Sequence, residues 1–433
     1  MDFSLQNQPE KRQPEKTPTR GPGDVVPFPS SGPSQPPARG WLARIGPGIV
    51  TGASDLDPSA VVTATVTGAA FSFSMLWLVA LCAPFLLAIF SVMGRVGRET
   101  RKGVLDLLRE NYGLKLAIVA AVLTIISNMA VIIADLMAVS DAFSILTGLP
   151  RAFFVAAIAF ALWYILIFRD YEKITQALVW LSLPLYMYVA AAIMLKPNLW
   201  QLLWHTFVPH ISHSKHLLDG MVAIFGSLLT PYILLWQASS RTDPEHQHHH
   251  ADAHTATLVS CVLFFSITVA AASVLHLREP VDMTTRQAAE ALRPAVGGFG
   301  GFVFALGIIG SGLVALPVLI ASMCYDVAQC MGWEYGLSAS PWDAKKFYVL
   351  ISGAVVAATI ANFTPINPVK ALFWAMILAG VLVVPTLIFI LAVSNDRRIV
   401  RTTNTVWQNF WIGGAAGGCA VMTVLYLWRL LVH

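Results

Sequence analysis

Asp55 and Asp57 interrupt an otherwise apolar stretch, residues 46–68, that reads GPGIVTGASDLDPSAVVTATVTG. A carboxylate at mid-membrane depth is costly and is rarely kept without a task. Two residues apart on one continuous helix, the two acids would point to different sides. Gly52 and Pro58 bracket them, however, and a proline inside a helix removes a backbone hydrogen bond and leaves carbonyls unpaired. A break here would turn carboxylates and bare carbonyls toward one cavity, which is how many carriers build an ion site near the bilayer midplane. The plainer alternative is a kinked helix whose acids snorkel to its end.

A second such place lies in IFGSLLTPYILLWQASS, where Pro231 follows Thr230. Between Pro58 and Pro231 the spacing of apolar runs leaves room for four whole spans, so the two breaks fall in the first and sixth. Matched breaks are what an inverted repeat of five plus five helices predicts. Asn128 and Asp135, seven residues apart, share one face of the third span, and Asp141 follows toward its other end. Asp135 would either stabilise a passing cation, relay a proton, or bond a neighbouring helix. Acids therefore fall inside the spans (Asp55, Asp57, Asp135 and Asp326), whereas no Lys or Arg falls well inside one. A negative, partly dehydrated interior favours a cation, and more than one carboxylate favours a divalent one.

The elements that must position these groups are membrane helices. With 56% hydrophobic and 12% charged residues over 433 positions, the chain carries more apolar surface than a soluble core of its size would use. Apolar runs near twenty residues fall at about 46–68, 72–94, 116–146, 152–168, 174–195, 219–239, 256–276, 299–329, 346–363, 367–393 and 407–431. This predicts an all-α polytopic membrane protein of about eleven transmembrane helices: repeat one over 46–195, repeat two over 219–393, and an additional C-terminal helix over 407–431. Residues 1–40 hold nine of the 25 prolines and almost no aliphatic side chains, so they are expected to be a disordered tail outside the transmembrane domain, 41–433. No apolar core followed by a small-residue cleavage site precedes the first span, which is therefore expected to direct insertion.

If the N-terminus is cytoplasmic, twenty of the 28 Lys and Arg residues fall on the inner side, which supports that orientation. The net charge of +4 reads as topology and contact with anionic lipid, not as a nucleic-acid surface. The five cysteines lie in or beside apolar runs, with no CxxC spacing, and read as small buried hydrophobes. Tryptophans near span ends (Trp41, Trp200, Trp204, Trp333, Trp407, Trp411) fit an interfacial belt, and Gly307, Gly310 and Gly312 read as close helix packing. Asn362, Asn367 and Pro368 are expected in the turn between spans nine and ten. His246, His248, His249, His250 and His254 crowd the loop after span six. They are either a tolerated low-complexity loop or an auxiliary metal buffer, since dense imidazole binds zinc, nickel or copper. His205, His210, His213 and His216, on the other side, have no fixed geometry to make them a site.

At this point the residues resemble a family. GPGIVTGASDLDPSAVVTATVTGAAFSFSMLW, the third-span ADL, TPYILLWQAS, ALGIIGSGLVALPVL, FYVLIS and INPVKALFW look like the natural resistance-associated macrophage protein (NRAMP) family of divalent-metal transporters, and most closely its NRAMP-related magnesium transporter branch. The resemblance, from about residue 41 onward, implies a LeuT-like (APC superfamily) fold, alternating access, and a cation held between broken helices 1 and 6 in a cell membrane, the bacterial inner membrane. The cation is cargo; no resident cofactor, nucleic acid or obligatory protein partner is implied. Members that carry transition metals have Asp-Pro-Gly-Asn in the first span and Met-Pro-His in the sixth. Here Asp57 keeps the acid, Ala60 stands at the Asn position, Thr230 at the Met and Tyr232 at the His. The family's second histidine falls on Gln237, and its third-span Glu on Ala138.

These changes have a chemical direction. A thioether suits softer metals, while magnesium wants oxygen ligands in an octahedron and gives up water reluctantly. Losing the thioether and the Asn amide leaves a wider, all-oxygen pocket for a largely hydrated cation. Asp57 is then its main charge partner, Thr230 a carbonyl or hydroxyl contact, and Gln237 and Asp55 contacts to bound water. Asp135, Asn128, Tyr232 and Ala60 line the pathway. Loss of both histidines and the Glu weakens proton coupling, because these are the groups a relay would titrate. The expectation is a magnesium or manganese carrier with weak or no coupling. The alternatives are a proton-coupled manganese or iron symporter and, more distantly, an amino-acid or organic-cation permease. No HExxH, GxSxG or Walker A pattern suggests an enzyme or a pump.

Overall fold

The computed structural model describes residues 56–168, 180–210, 216–240, 253–275, 283–337 and 339–432, and every regular element among them is a helix. In chain order these are α1 (Pro58–Phe71), α2 (Leu76–Thr100), α3 (Val104–Tyr112), α4 (Leu114–Thr147) and α5 (Arg151–Phe168). Then come α6 (Met187–Met194), α7 (Leu199–Phe207), α8 (Leu217–Leu228), α9 (Pro231–Ser239) and α10 (Ala253–Val274). The chain continues through the short α11 (Thr285–Glu290) and α12 (Arg293–Val296) to α13 (Gly300–Met331), α14 (Lys345–Ala361), α15 (Pro368–Asn395) and α16 (Val406–Val432).

Eight helical segments among the described residues are long and apolar enough to cross a membrane, or nine if a pair bent by 116°, Trp180–Met194 and Leu199–Phe207, is one broken span. The difference from eleven has local causes. The first two predicted spans run together as 43 residues, Pro58–Thr100, turned only at Ser72, whose φ is +51°. The ninth, α14, has 17 residues and at 1.5 Å per residue rises about 26 Å, short of the ~30 Å hydrocarbon core.

Among the described residues prolines fall both inside helices, as at Pro84, Pro317 and Pro385, and at helix starts. Pro58, Pro231 and Pro368 each occupy the first turn of α1, α9 and α15, where a missing N–H costs nothing because that donor has no partner within the helix. Each break is therefore made by the residue before the proline.

α1 is buried on every side, and two of its three threonines turn their hydroxyls back on their own helix, Thr65 to the Val61 carbonyl at 2.8 Å and Thr67 to that of Thr63 at 2.7 Å. It packs chiefly on α10, α4 packs chiefly on α13, and α8 on α15. The last pair is unusually close. A Cβ on Gly226 would lie 1.8 Å from the Met376 carbonyl oxygen, and one on Gly380 would lie 2.1 Å from that of Val222, so only glycine lets α8 meet α15. Gly307, Gly310 and Gly312 do the same for α13, against Leu185, the Leu181 carbonyl and Val139.

Peripheral helices show the complementary pattern. On α16, Trp407, Phe410, Trp428 and Leu431 are exposed, a face suited to lipid, and Trp200 and Trp204 project from α7. All five cysteines are buried and unbridged. Asn367 caps α15 by accepting from the Val369 N–H at 2.9 Å, and Asn362 ties the end of α14 to α4 through the Ile133 carbonyl at 3.0 Å.

The short amphipathic α3 carries a carboxylate outside the spans. Burial pushes the Asp106 carboxyl above the usual range, against the opposing pull of the Tyr335 hydroxyl that donates to Oδ2 at 2.7 Å. An acid that holds its proton to higher pH when folded than when unfolded loses stability as pH rises from the unfolded to the folded pKa. Asp106→Asn is therefore expected to raise the melting temperature at pH 8 by ~2–4 °C, the shift that about 1 kcal/mol produces in larger domains, and to leave it unchanged at pH 4. Thermal scans of both proteins in detergent at the two pH values check this.

Candidate functional site

Asp57 is the N-cap of α1. Its backbone is extended (φ −67°, ψ 165°), and Oδ1 accepts the Ala60 N–H at 2.7 Å, which satisfies one of the donors a helix start leaves open. The position of Ala60 thus contributes its backbone to hold the acid, and its methyl adds no ligand. Asp57 is 2% exposed, and its other oxygen, Oδ2, accepts from the Tyr232 hydroxyl at 3.3 Å across to α9. One side chain therefore joins the two helix starts that follow the breaks.

The second break is two residues long. α8 ends at Leu228, Leu229 (φ −104°, ψ 33°) and Thr230 (φ −53°, ψ 129°) leave helical geometry, and α9 begins at Pro231. The Thr230 hydroxyl folds back to the carbonyls of Gly226 at 2.8 Å and Ser227 at 3.1 Å, so its proton closes the end of α8 while its lone pairs stay available. The Thr230 carbonyl accepts from Ile233 and Leu234. Ser227 Oγ is buried without a hydrogen bond. The start of α1, the start of α9 and the end of α8 thus meet at one place, with Asp57 between them.

α4 adds a second acid. The Ser59 hydroxyl, in the first turn of α1, donates to Asp135 Oδ1, while Asp135 Oδ2 is buried with no partner. Asp57 and Asp135 are close enough to repel each other, and neither is in an ion pair among the described residues. Two buried carboxylates, serine and threonine hydroxyls and a tyrosine hydroxyl make a set of oxygen donors whose negative charge is uncompensated. A hard cation completes such a set, with water filling the positions the protein leaves open.

Ser59 was not singled out by sequence: its role depends on α4 lying against α1, and the only signal was a hydroxyl one residue after Asp57-Pro58. The structure brings Asp57, Ala60, Tyr232 and Thr230 together and attaches Asp135 through Ser59. Gln237 lies half-buried on α9, two turns beyond Thr230. Asn128 is fully buried two turns before Asp135, with no partner for either amide atom. Asp55 and His246, His248, His249 and His250 lie outside the described residues, and His254 is placed only as backbone at the start of α10.

An all-helical architecture of apolar spans, with α8 and α9 broken beside the acid-capped start of α1, defines a polytopic membrane protein of LeuT-like fold. Residues 48–429 match the family described as natural resistance-associated macrophage protein-like, and the chain belongs to that family. Among curated relatives it is similar to the metal transporter NRAT1 of Oryza sativa subsp. japonica, 26% identical over 64% of this chain and 55% of the rice protein. It is also similar to the divalent metal cation transporter MntH of Granulibacter bethesdensis, 21% identical over 64% of this chain and 66% of that protein. The matches thus span a little over half to about two thirds of these relatives. A crystal structure of the Eremococcus coleocola manganese transporter, in a variant form, superposes with a TM-score of 0.69 at 14% identity over 89% of this chain and 86% of the other.

Proposed function

We propose that the chain is a secondary carrier for divalent metal cations, with Mg2+ as main cargo and Mn2+ accepted. In this reading it works by alternating access, with a largely hydrated ion and weak or no proton coupling. Relatives named as divalent-metal and manganese transporters support the cation class. The observation that carries the finer reading is the sixth-span break. The side chain there, Thr230, is a hydroxyl tied back to its own helix, so the cation would meet Asp57, backbone and water, with no thioether offered from that position. Such a pocket favours an ion that keeps its water. With tyrosine and alanine where the family's relay carries histidine and glutamate, Asp135 is the one relay acid retained, and the membrane potential suffices to draw in a dication. The N-terminus is read as cytoplasmic from the charge distribution.

The test is uptake into proteoliposomes that hold an internal pH dye, with Mg2+ or Mn2+ outside and an inside-negative potential. Mg2+ entry without internal acidification is expected. Entry of Mn2+ alone, with acidification, would mean instead that the chain is a proton-coupled symporter for transition metals.

A further inference from the structure

A third buried acid lies in α13, away from Asp57 and Asp135. Asp326, in the last third of α13, is fully buried, neither carboxylate oxygen has a hydrogen-bond partner, and it belongs to no ion pair among the described residues. Its neighbours place it where three helices meet. One turn before it, Ser322 reaches the Tyr232 carbonyl of α9 at 3.5 Å; three residues after it, Gln329 donates to Ser239 at the end of α9 at 3.1 Å. Thr124 of α4 faces it, with a hydroxyl shared between the Ala120 and Ala121 carbonyls, at 3.2 and 3.0 Å, and the Asp326 carboxylate.

Asn128 lies one turn from Thr124 on α4, toward Asp135, and its amide oxygen is likewise buried and unpartnered. Thr124, Asn128 and Gln329 each carry a side-chain oxygen on the helices that meet at Asp326, and the amide oxygens of Asn128 and Gln329 have no partner. A buried carboxylate with no basic neighbour must hold either a proton or a cation, because leaving it bare costs several kcal/mol. The eleven residues from Thr124 to Asp135 rise about 16 Å along α4, too far for one ion to touch both acids. The displacement is toward the end of the bundle that the Lys and Arg distribution assigns to the cytoplasm.

We infer that Asp326, with the amide oxygen of Asn128 and the hydroxyl oxygen of Thr124, forms a second divalent-cation station between α4, α9 and α13, which receives the ion after it leaves Asp57. This rests on the carrier reading above. One carboxylate and neutral oxygens hold a dication less tightly than two carboxylates, which suits a station that must release it. The seam also explains why α4 and α13, otherwise packed through glycines and aliphatic side chains, keep uncompensated polar atoms between them.

Bound Mn2+ is counted by equilibrium dialysis on the purified full-length protein, and Mg2+ and Mn2+ uptake are measured in proteoliposomes. Two ions per chain are expected for the wild type, one each for Asp57→Asn and Asp326→Asn, and none for the double variant. Asp326→Asn is expected to lower the uptake rate at least tenfold. Asn128→Ala, which leaves the acid in place, is expected to weaken the second ion several-fold and so reports on the station even if Asp326→Asn fails to fold. A single ion that Asp57→Asn alone removes, with normal uptake by Asp326→Asn, overturns the second station and leaves the carrier reading intact. No bound ion and no uptake in the wild type overturns both.

Discussion

Asp57→Asn is expected to leave a folded, monodisperse protein whose Mg2+ and Mn2+ uptake falls by at least a hundredfold. The substitution separates two things the carboxylate does. As N-cap of α1 it accepts the Ala60 N–H, and asparagine caps a helix as well as aspartate does, so stability changes little. As the acid that faces both helix breaks it supplies the charge, which asparagine removes. With the amide oxygen on the Ala60 N–H, the amide nitrogen takes the place of Oδ2 and donates to the Tyr232 hydroxyl, so the bridge from α1 to α9 survives with its direction reversed. Asp57→Ala removes cap and charge together and is expected to cost about 1 kcal/mol in addition. Uptake in proteoliposomes, with thermal stability on the same preparations, separates the roles. A variant Asp57→Asn that still moves cations would show that the charge centre lies elsewhere, with Asp135 the first alternative.

How far sequence reaches here depends on whether a feature is local. The sixth-span break was legible, because a proline next to a threonine inside an apolar run has few interpretations in a bilayer, and Asp57-Pro58 likewise marked the start of α1. What it left open was which residue makes each break: the structure puts Pro58 and Pro231 just inside a helix, so Asp57 and Thr230 are the ones out of helical geometry. The glycines of α13 were legible as packing, whereas the close approach of α8 to α15 at Gly226 and Gly380 was not, because neither lies in a recognisable small-residue pattern.

Contacts between distant segments were the least legible. Ser59 meets Asp135 across 76 positions, and Tyr232 meets Asp57 across 175. Each is one hydroxyl among many until the helices are placed. Asp326 was visible as an intramembrane acid, but its isolation, which gives it meaning, is a property of three packed helices. The His205–His216 stretch shows the reverse: four histidines at suggestive spacing, of which His216 pairs with Asp219 at 2.8 Å and the rings of His205 and His210 lie edge to face. That is ordinary surface structure.

Thr230→Met combined with Ala60→Asn is expected to shift selectivity toward Mn2+ over Mg2+ by one to two orders of magnitude, chiefly by lowering Mg2+ uptake. Geometry contributes as well as ligand softness. Methionine would place a thioether at the break, a donor that Mn2+ tolerates and Mg2+ does not, and asparagine three residues after Asp57 would add an amide oxygen on the same side of α1. Together they replace water with protein ligands and shrink the pocket, which penalises the ion that sheds water least willingly. There is a structural cost, because Thr230 now closes the end of α8 by bonding the Gly226 and Ser227 carbonyls, and methionine cannot. Those carbonyls are then left open to the cavity. The single variant Thr230→Ser keeps the cap and adds no thioether, so it is expected to keep the wild-type preference. Competition between Mg2+ and Mn2+ in uptake assays on the three proteins decides the matter: if the double variant keeps the wild-type ratio, selectivity is set outside the two helix breaks.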